Sequence, residues 1–224
     1  MERTYASRLL ATLRSEIENK YYIKTMDFRE EFMSLLRSTK RRGIEYVIED
    51  LESLDFFKAP ASSRFHLNRE GGLVEHSVNV CRAAMKVRKA MLELDDSLLE
   101  SLPLDSVVIA SLLHDVCKAD IYKKAVRYEK GKDGKFGAIP VYEVDYSNFP
   151  LGHGEKSVIM LLQSGLELTD DEIMAIRWHM NAWDLPFQSA DIRANYNAAK
   201  TKSPLVTLIQ SADCLAAGIL ERGI

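Results

Sequence analysis

Cysteine is scarce in this chain: three among 224 residues, Cys81, Cys117 and Cys214, each alone inside an apolar helical pattern. None stands at the spacing of a disulfide framework, a thiolate metal site or a redox motif. All three therefore read as small buried residues of a reducing compartment, and none as a nucleophile. A basic excess is also missing. Lys and Arg number 30 against 33 Asp and Glu, for a formal charge of -3 and a pI of about 6.0, which disfavours nonspecific binding to nucleic acid. The one dense basic run, Arg37 followed by Lys40, Arg41 and Arg42, falls where a helix should end and reads as a solvated C-terminus favoured by the helix dipole. No long apolar run opens the chain: MERTYASRLLATLRSEIENKYY carries charge through every turn. Neither a signal peptide nor a membrane span is expected from it, and a cytoplasmic location is. Low-complexity sequence is absent, and a composition 46% hydrophobic and 28% charged is that of an ordinary globular protein. A length of 224 residues suits one domain.

What is present is helical periodicity. Apolar residues recur at helical spacing at Leu9, Leu10, Leu13 and Ile17, at Phe28, Phe32, Leu35 and Leu36, and at Ile44, Val47, Ile48 and Leu51. The period continues through Val78, Cys81, Ala84, Met85 and Val87. It then enters Val107, Val108, Ala110, Ser111, Leu112 and Leu113, a stretch so apolar that it must be a central helix. Between Ile121 and Tyr146 branched and aromatic residues alternate with charges on both sides of Lys132-Asp133-Gly134-Lys135. That is a hairpin signal, with Val126, Tyr128, Val141, Tyr142 and Val144 suited to half-buried strands. Helical spacing returns at Val158, Ile159, Leu161 and Leu162. Thr169 with Glu172 three residues later forms a capping-box signature, so a helix should start near Asp170 and run through Ile173, Met174 and Ile176 toward His179. The last helix should start at Pro204 and carry Val206, Ile209, Ala212 and Leu215. The expected architecture is a single mostly α domain over residues 1–224, its N-terminal helices (1–60) packed on a core of residues 61–224, with one inserted β-hairpin.

Only five histidines occur, and four of them, His76, His114, His153 and His179, lie on or beside expected core helices. A lone histidine in an apolar helix is usually a satisfied core residue. The reading changes at Leu113-His114-Asp115, where an imidazole and a carboxylate stand together at the end of the most apolar helix. Burying an unpaired carboxylate is costly, so Asp115 needs a cation, and a metal beside an imidazole is the economical one. Asp213 repeats the argument as a single acid among Ser211, Ala212, Cys214 and Leu215. Two isolated core acids and four core histidines point to one site.

The order His, His-Asp, His, His, Asp resembles that of the HD superfamily of metal-dependent phosphohydrolases. Gly71-Gly72-Leu73-Val74-Glu75-His76-Ser77 is similar to that family's first-ligand motif, Leu112-Leu113-His114-Asp115-Val116-Cys117-Lys118 to its namesake motif and Ser211-Ala212-Asp213 to its last, so the resemblance spans roughly residues 45–220. It implies a compact helical fold and hydrolysis of a phosphomonoester or phosphodiester, of a nucleotide by expectation. Gly152-His153-Gly154-Glu155 and Trp178-His179 resemble the additional ligands of members with two metals. By that resemblance His76, His114 and Asp213 hold a first divalent ion, His153 and His179 a second, and Asp115 bridges them. Nitrogen and oxygen ligands without thiolate suit iron, manganese, magnesium, nickel or zinc alike. Two such ions roughly 3.5 to 4 Å apart can share a hydroxide and clamp the attacking and leaving oxygens of a phosphoryl displacement.

Lys118, four residues after His114 and three after Asp115, is expected on the same helix face, where its ammonium can meet a non-bridging phosphate oxygen; the plainer reading is a cation at a helix C-terminus. Glu75 and Glu155 stand beside ligand positions as either acceptors for an imidazole or solvated charges. Trp178, Trp183, Asn181 and Asp184 follow as an aromatic wall for a base or sugar, or as core. Arg127, Lys123 and Lys124 on the hairpin are either an electrostatic lid or charges kept for solubility. His66 falls outside the pattern and is left out of the site. A small phosphate ester is favoured over a nucleic acid, no membrane partner is expected, and oligomeric state is not legible. Two alternatives keep the fold: an HD-type di-iron oxygenase with the same six ligands, and a nucleotide-binding sensor without catalysis.

Overall fold

Eight consecutive residues, Ser106 to Leu113, are buried, as a helix apolar on every face requires. They belong to α4 (Leu104–Leu113), around which α1 (Phe28–Ser38), α3 (Gly72–Leu94), α7 (Asp170–Trp178) and α9 (Pro204–Leu215) pack. The computed structural model describes residues 27–131, 134–180 and 189–222. The expected helix around Leu9 to Ile17 lies outside the described residues, as do Lys132 and Asp133 of the turn, and Asn181, Trp183 and Asp184.

The architecture is mostly α with one two-stranded ribbon. Between the helices already named come α2 (Ile44–Ser53), α5 (Lys118–Ile121), β1 (Tyr122–Lys130), β2 (Phe136–Val144), α6 (His153–Gln163) and α8 (Ala190–Lys202). The apolar positions read from sequence form the core: Phe32 and Leu36 of α1, Val47 and Leu51 of α2, Val78 and Cys81 of α3, and Leu112 and Leu113 of α4 are all at most 3% exposed. Phe32, Phe56 and Phe57 form an aromatic triangle with ring centroids 5.2 to 5.6 Å apart, which fastens α1 to the loop before α3.

The capping box of α7 is formed: Glu172 donates its backbone N–H to Thr169 Oγ1 at 3.2 Å, and Thr169 donates its own to Glu172 Oε2 at 2.9 Å. Glu172 also receives both guanidinium nitrogens of Arg41 at 2.8 Å. Arg41 is therefore no part of a solvated helix end. Its fork spans from the loop after α1 to a carboxylate with no exposed surface, because a cap turned inward needs a cation to compensate it. Arg42 does remain in solvent, beside Glu167.

The ribbon is found where alternation placed it, with Tyr122 opposite Val144 and Lys130 opposite Phe136. Gly134 takes a φ of 80°, the positive angle the tight turn needs. Burial differs from expectation. Val126 is 61% and Tyr128 70% exposed, and half-burial is limited to Tyr122, Ala125, Ile139, Val141 and Tyr142. Nine-residue strands outrun the helices that support them, so the outer half has nothing to pack on. Two further expectations need correcting. Cys214 is exposed rather than buried. The helix carrying His114 ends at that residue, and Lys118 opens the separate short α5.

Candidate metal centre

Backbone geometry delivers the histidines. Gly71 takes a φ of 75° to enter α3, and a Cβ on Gly72 would lie 2.1 Å from the carbonyl oxygen of Leu67. Only glycine lets the chain fold that tightly, and the turn carries His76 inward until it is 1% exposed. A Cβ on Gly154 would likewise lie 2.1 Å from the backbone oxygen of Arg177. The start of α6 thus rests directly on the end of α7, and the rings of His153 and His179 come within 5.2 Å.

His114 and His179 share one device. Each follows the last residue of its helix, α4 or α7, and its Nδ1 faces the carbonyl three residues back, Ser111 O at 2.8 Å and Ile176 O at 2.7 Å. A carbonyl only accepts, so Nδ1 carries the proton in both rings. Each Nε2 then presents a lone pair, and both Nε2 atoms are buried without a hydrogen-bond partner.

These lone pairs converge on Asp115, whose two oxygens divide the surrounding residues. Oδ1 lies 2.6 Å from His153 Nε2 and 3.3 Å from His179 Nε2. Oδ2 lies 3.3 Å from His114 Nε2, 3.5 Å from His76 Nε2 and 2.6 Å from Lys118 Nζ. Asp213 closes the second side, with Oδ1 at 3.2 Å from His76 Nε2. All six residues singled out from sequence are brought together.

Electrostatics follow from the crowding. Burial disfavours the charged form of Asp115, yet the Lys118 ammonium and the imidazoles of His114 and His153 outweigh it and hold its pKa well below the usual carboxylate range. Lys118 is raised in turn, Asp115 outweighing its own burial. Burial also opposes charge on His76, but hydrogen bonds to Asp213 and Glu221 lift its pKa to about 9. His153 is pushed down by burial, only partly relieved by Asp115. The site keeps Asp115 ionised beside Lys118 and aims imidazole nitrogens at it, an arrangement that suits an added cation.

The donor set fits a divalent cation. Ligand atoms about 2.0 to 2.2 Å from a transition ion stand roughly 3 Å from one another, close to the separations about Asp115. Two groups of donors have mutually close atoms: His76, His114 and Asp213, and His114, Asp115 and His179. The first is the trio the resemblance implied. His153 belongs to neither, although its Nε2 lies 2.6 Å from Asp115 Oδ1. A third group, His66, His76 and Glu221, differs in kind: His76 Nδ1 lies 3.0 Å from Glu221, an ordinary hydrogen bond, and the ring cannot ligate through both nitrogens without losing that proton.

Glu221, Asn79 and His66 stand against the outer side of His76 and were missed. His66 falls outside the pattern of the six residues, yet its ring is 5.0 Å from that of His76. Glu221 lies just after Ala216-Ala217-Gly218-Ile219-Leu220, and the same isolated-acid signal that exposed Asp213 could have found it. Glu75 bonds Arg69 and Glu155 bonds Arg177, so neither orients an imidazole. Lys124 bonds Glu70 at 3.0 Å and Arg127 lies 3.8 Å from Glu129, which leaves both on the ribbon surface rather than over the site. Trp178 packs on the core beside Tyr196. Cys117 faces His153 with Sγ 3.4 Å from Nδ1, but burial pushes its thiol up to about 12. Among the described residues no single helix is long and apolar enough to cross a membrane.

Comparison with known proteins adds two findings. A model of the HD domain matches residues 73–218, which include all six converging residues. Over 124 residues the chain is 29% identical to dihydroneopterin 2',3'-cyclic phosphate phosphodiesterase of Methanocaldococcus jannaschii; the match covers 55% of this chain and 45% of that protein. The chain therefore matches less than half the length of that relative. No solved structure matches the chain significantly.

Proposed function

This chain belongs to the HD domain family, and from that premise and the arrangement about Asp115 we propose that it is a metal-dependent phosphohydrolase acting on a small phosphomonoester or phosphodiester, a nucleotide or nucleotide-like compound. One observation carries the reading. Asp115 offers Oδ1 to His153 and His179 and Oδ2 to His76 and His114, the placement of a carboxylate shared between two cation positions. His76, His114 and Asp213 would hold one ion, His153 and His179 the other, with Asp115 common to both. Divalent ions there supply a water of lowered pKa and Lewis-acid stabilisation of phosphate oxygens.

The residues' own contributions follow from their partners. The Nδ1–H bonds of His114 and His179 to backbone carbonyls fix both rings, so their Nε2 atoms need no reorganisation to bind. Lys118 places an ammonium on Asp115 Oδ2 from the start of α5. With that carboxylate engaged elsewhere, the same ammonium is free to neutralise a non-bridging phosphate oxygen. Burial of His76, His114 and His179 excludes bulk water and strengthens these interactions.

The cyclic phosphate named for the relative favours a phosphodiester as first choice. Opening a cyclic phosphate yields a monoester and no free phosphate. The test is accordingly a panel of nucleotides, cyclic nucleotides and 2',3'-cyclic phosphates with manganese-loaded and iron-loaded protein, followed by chromatography of products as well as phosphate release. Turnover of at least one phosphate ester, abolished by a chelator, supports the reading. Failure on every class with both metals contradicts it.

A further inference from the structure

Glu221 has no exposed side-chain surface, although it lies eight positions beyond Asp213, past the end of α9. Burying a carboxylate is costly unless it is paired and hydrogen-bonded. Its partners are all at one end of α3: His76 Nδ1, at 3.1 and 3.0 Å from the two carboxylate oxygens, and Asn79 Nδ2 at 3.1 Å. His66 Nε2 lies 3.8 Å away on the open flank.

The backbone is shaped for this placement. An α-helix of 3.6 residues per turn would leave position 221 roughly 80° around from Asp213. Instead the helix widens through a π-helical turn, Ala216–Leu220, closed by Glu221 N–H to Ala216 O at 3.0 Å. Less rotation per residue returns the side chain toward the face that carries Asp213.

His76 needs an external acceptor for a reason peculiar to its position. His114 and His179 use the orphan carbonyls of a helix end. His76, the fifth residue of α3, lies where the carbonyls of the preceding turn already accept from the helix ladder. Its Nδ1 proton is held instead by a side chain, the Glu221 carboxylate. We infer that Glu221 is the positioning residue of His76: it takes the Nδ1–H bond and thereby turns Nε2, the atom that would bind the ion, toward Asp115 and Asp213. Asn79 supports the carboxylate by donating to Oε1. This inference rests on the proposed metal site.

The test uses the full chain loaded with zinc, which is diamagnetic, and compares the wild type with Glu221→Gln and Glu221→Ala. Zinc affinity by chelator competition should fall 10- to 100-fold in Glu221→Ala, the usual loss on deleting such an acceptor. Glu221→Gln should recover a large part, because its amide oxygen still accepts from Nδ1. Nitrogen-15 NMR of labelled histidine should show a protected Nδ1 proton on His76 in the wild type and in Glu221→Gln, lost to exchange in Glu221→Ala. Wild-type affinity and an unchanged His76 proton in Glu221→Ala would overturn the inference, as would an equal loss in both variants. A wild type that binds no zinc or other divalent ion overturns the metal site itself, and is distinguished by that.

Discussion

His153 Nε2 and Asp115 Oδ1 stand 2.6 Å apart although 38 positions separate them in sequence. The approach depends on α6 resting on the end of α7 at Gly154, and it puts His153 and His179 on the same oxygen of Asp115. In the proposed centre both histidines serve the second ion. Replacing His153 and His179 together by Ala should lower the metal content by one ion per chain and cut turnover by at least 100-fold, since activation of water then rests on one cation. Metal analysis decides the point: an unchanged count with unchanged turnover would make both residues lining only.

Lys118 is expected to act on substrate rather than on metal retention. Lys118→Met keeps the side chain's length without the ammonium. It should leave metal content unchanged while lowering kcat/KM about 10- to 100-fold, which corresponds to a charge-assisted hydrogen bond of roughly 1.5 to 3 kcal/mol. Loss of metal in parallel with activity would reassign Lys118 to holding Asp115.

Stability rests in part on Glu172, which caps α7 and takes the fork of Arg41. Glu172→Ala leaves a guanidinium that is 19% exposed without its carboxylate, held only by the backbone carbonyl of Glu167 at 3.0 Å. Breaking a fully buried pair costs about 3 to 5 kcal/mol. Partial solvation of Arg41 reduces this to about 2 to 3 kcal/mol, or a melting point lower by roughly 5 to 10 °C for a chain of this size. Calorimetry on the Glu172→Ala protein checks it, and a shift below about 2 °C would contradict the role given to the pair.

Thiol reactivity should follow exposure. Cys81 and Cys117 are buried with pKa values pushed up to about 12, whereas Cys214 is exposed. A thiol reagent should label one cysteine in the native protein, Cys214 by mass spectrometry, and all three after denaturation. Native labelling of Cys117 would show that the His153 side of the site opens in solution.

Much of this architecture was legible because local signals agreed with tertiary packing. An unbroken apolar run could only be a central helix, Thr169 with Glu172 marked the start of α7, and Pro204 that of α9. The site was legible through its cost, since Asp115 and Asp213 are acids stranded among apolar residues. What escaped was set by geometry with no local signature. Periodicity could not tell that the helix would stop at His114, because Val116 and Cys117 continue the apolar pattern in a turn. Alternation marked the strands but could not say how far the ribbon would outrun its support. Glu221 carries the same isolated-acid signal as Asp213, but the wide turn before it breaks the helical period that would have put it on the face of the site. Arg41 was read as a solvated charge because its partner, Glu172, lies 131 positions away.

The central claim is that Asp115 is a ligand common to two cation positions. Asp115→Ala in protein purified with manganese or iron, assayed for metal content and for hydrolysis of the best ester in the panel, tests it most directly. Loss of most bound metal together with activity is expected, while the fold persists by circular dichroism, since the substitution removes a charge and leaves the surrounding helices packed. A folded Asp115→Ala protein that keeps its full metal content and its turnover would contradict it.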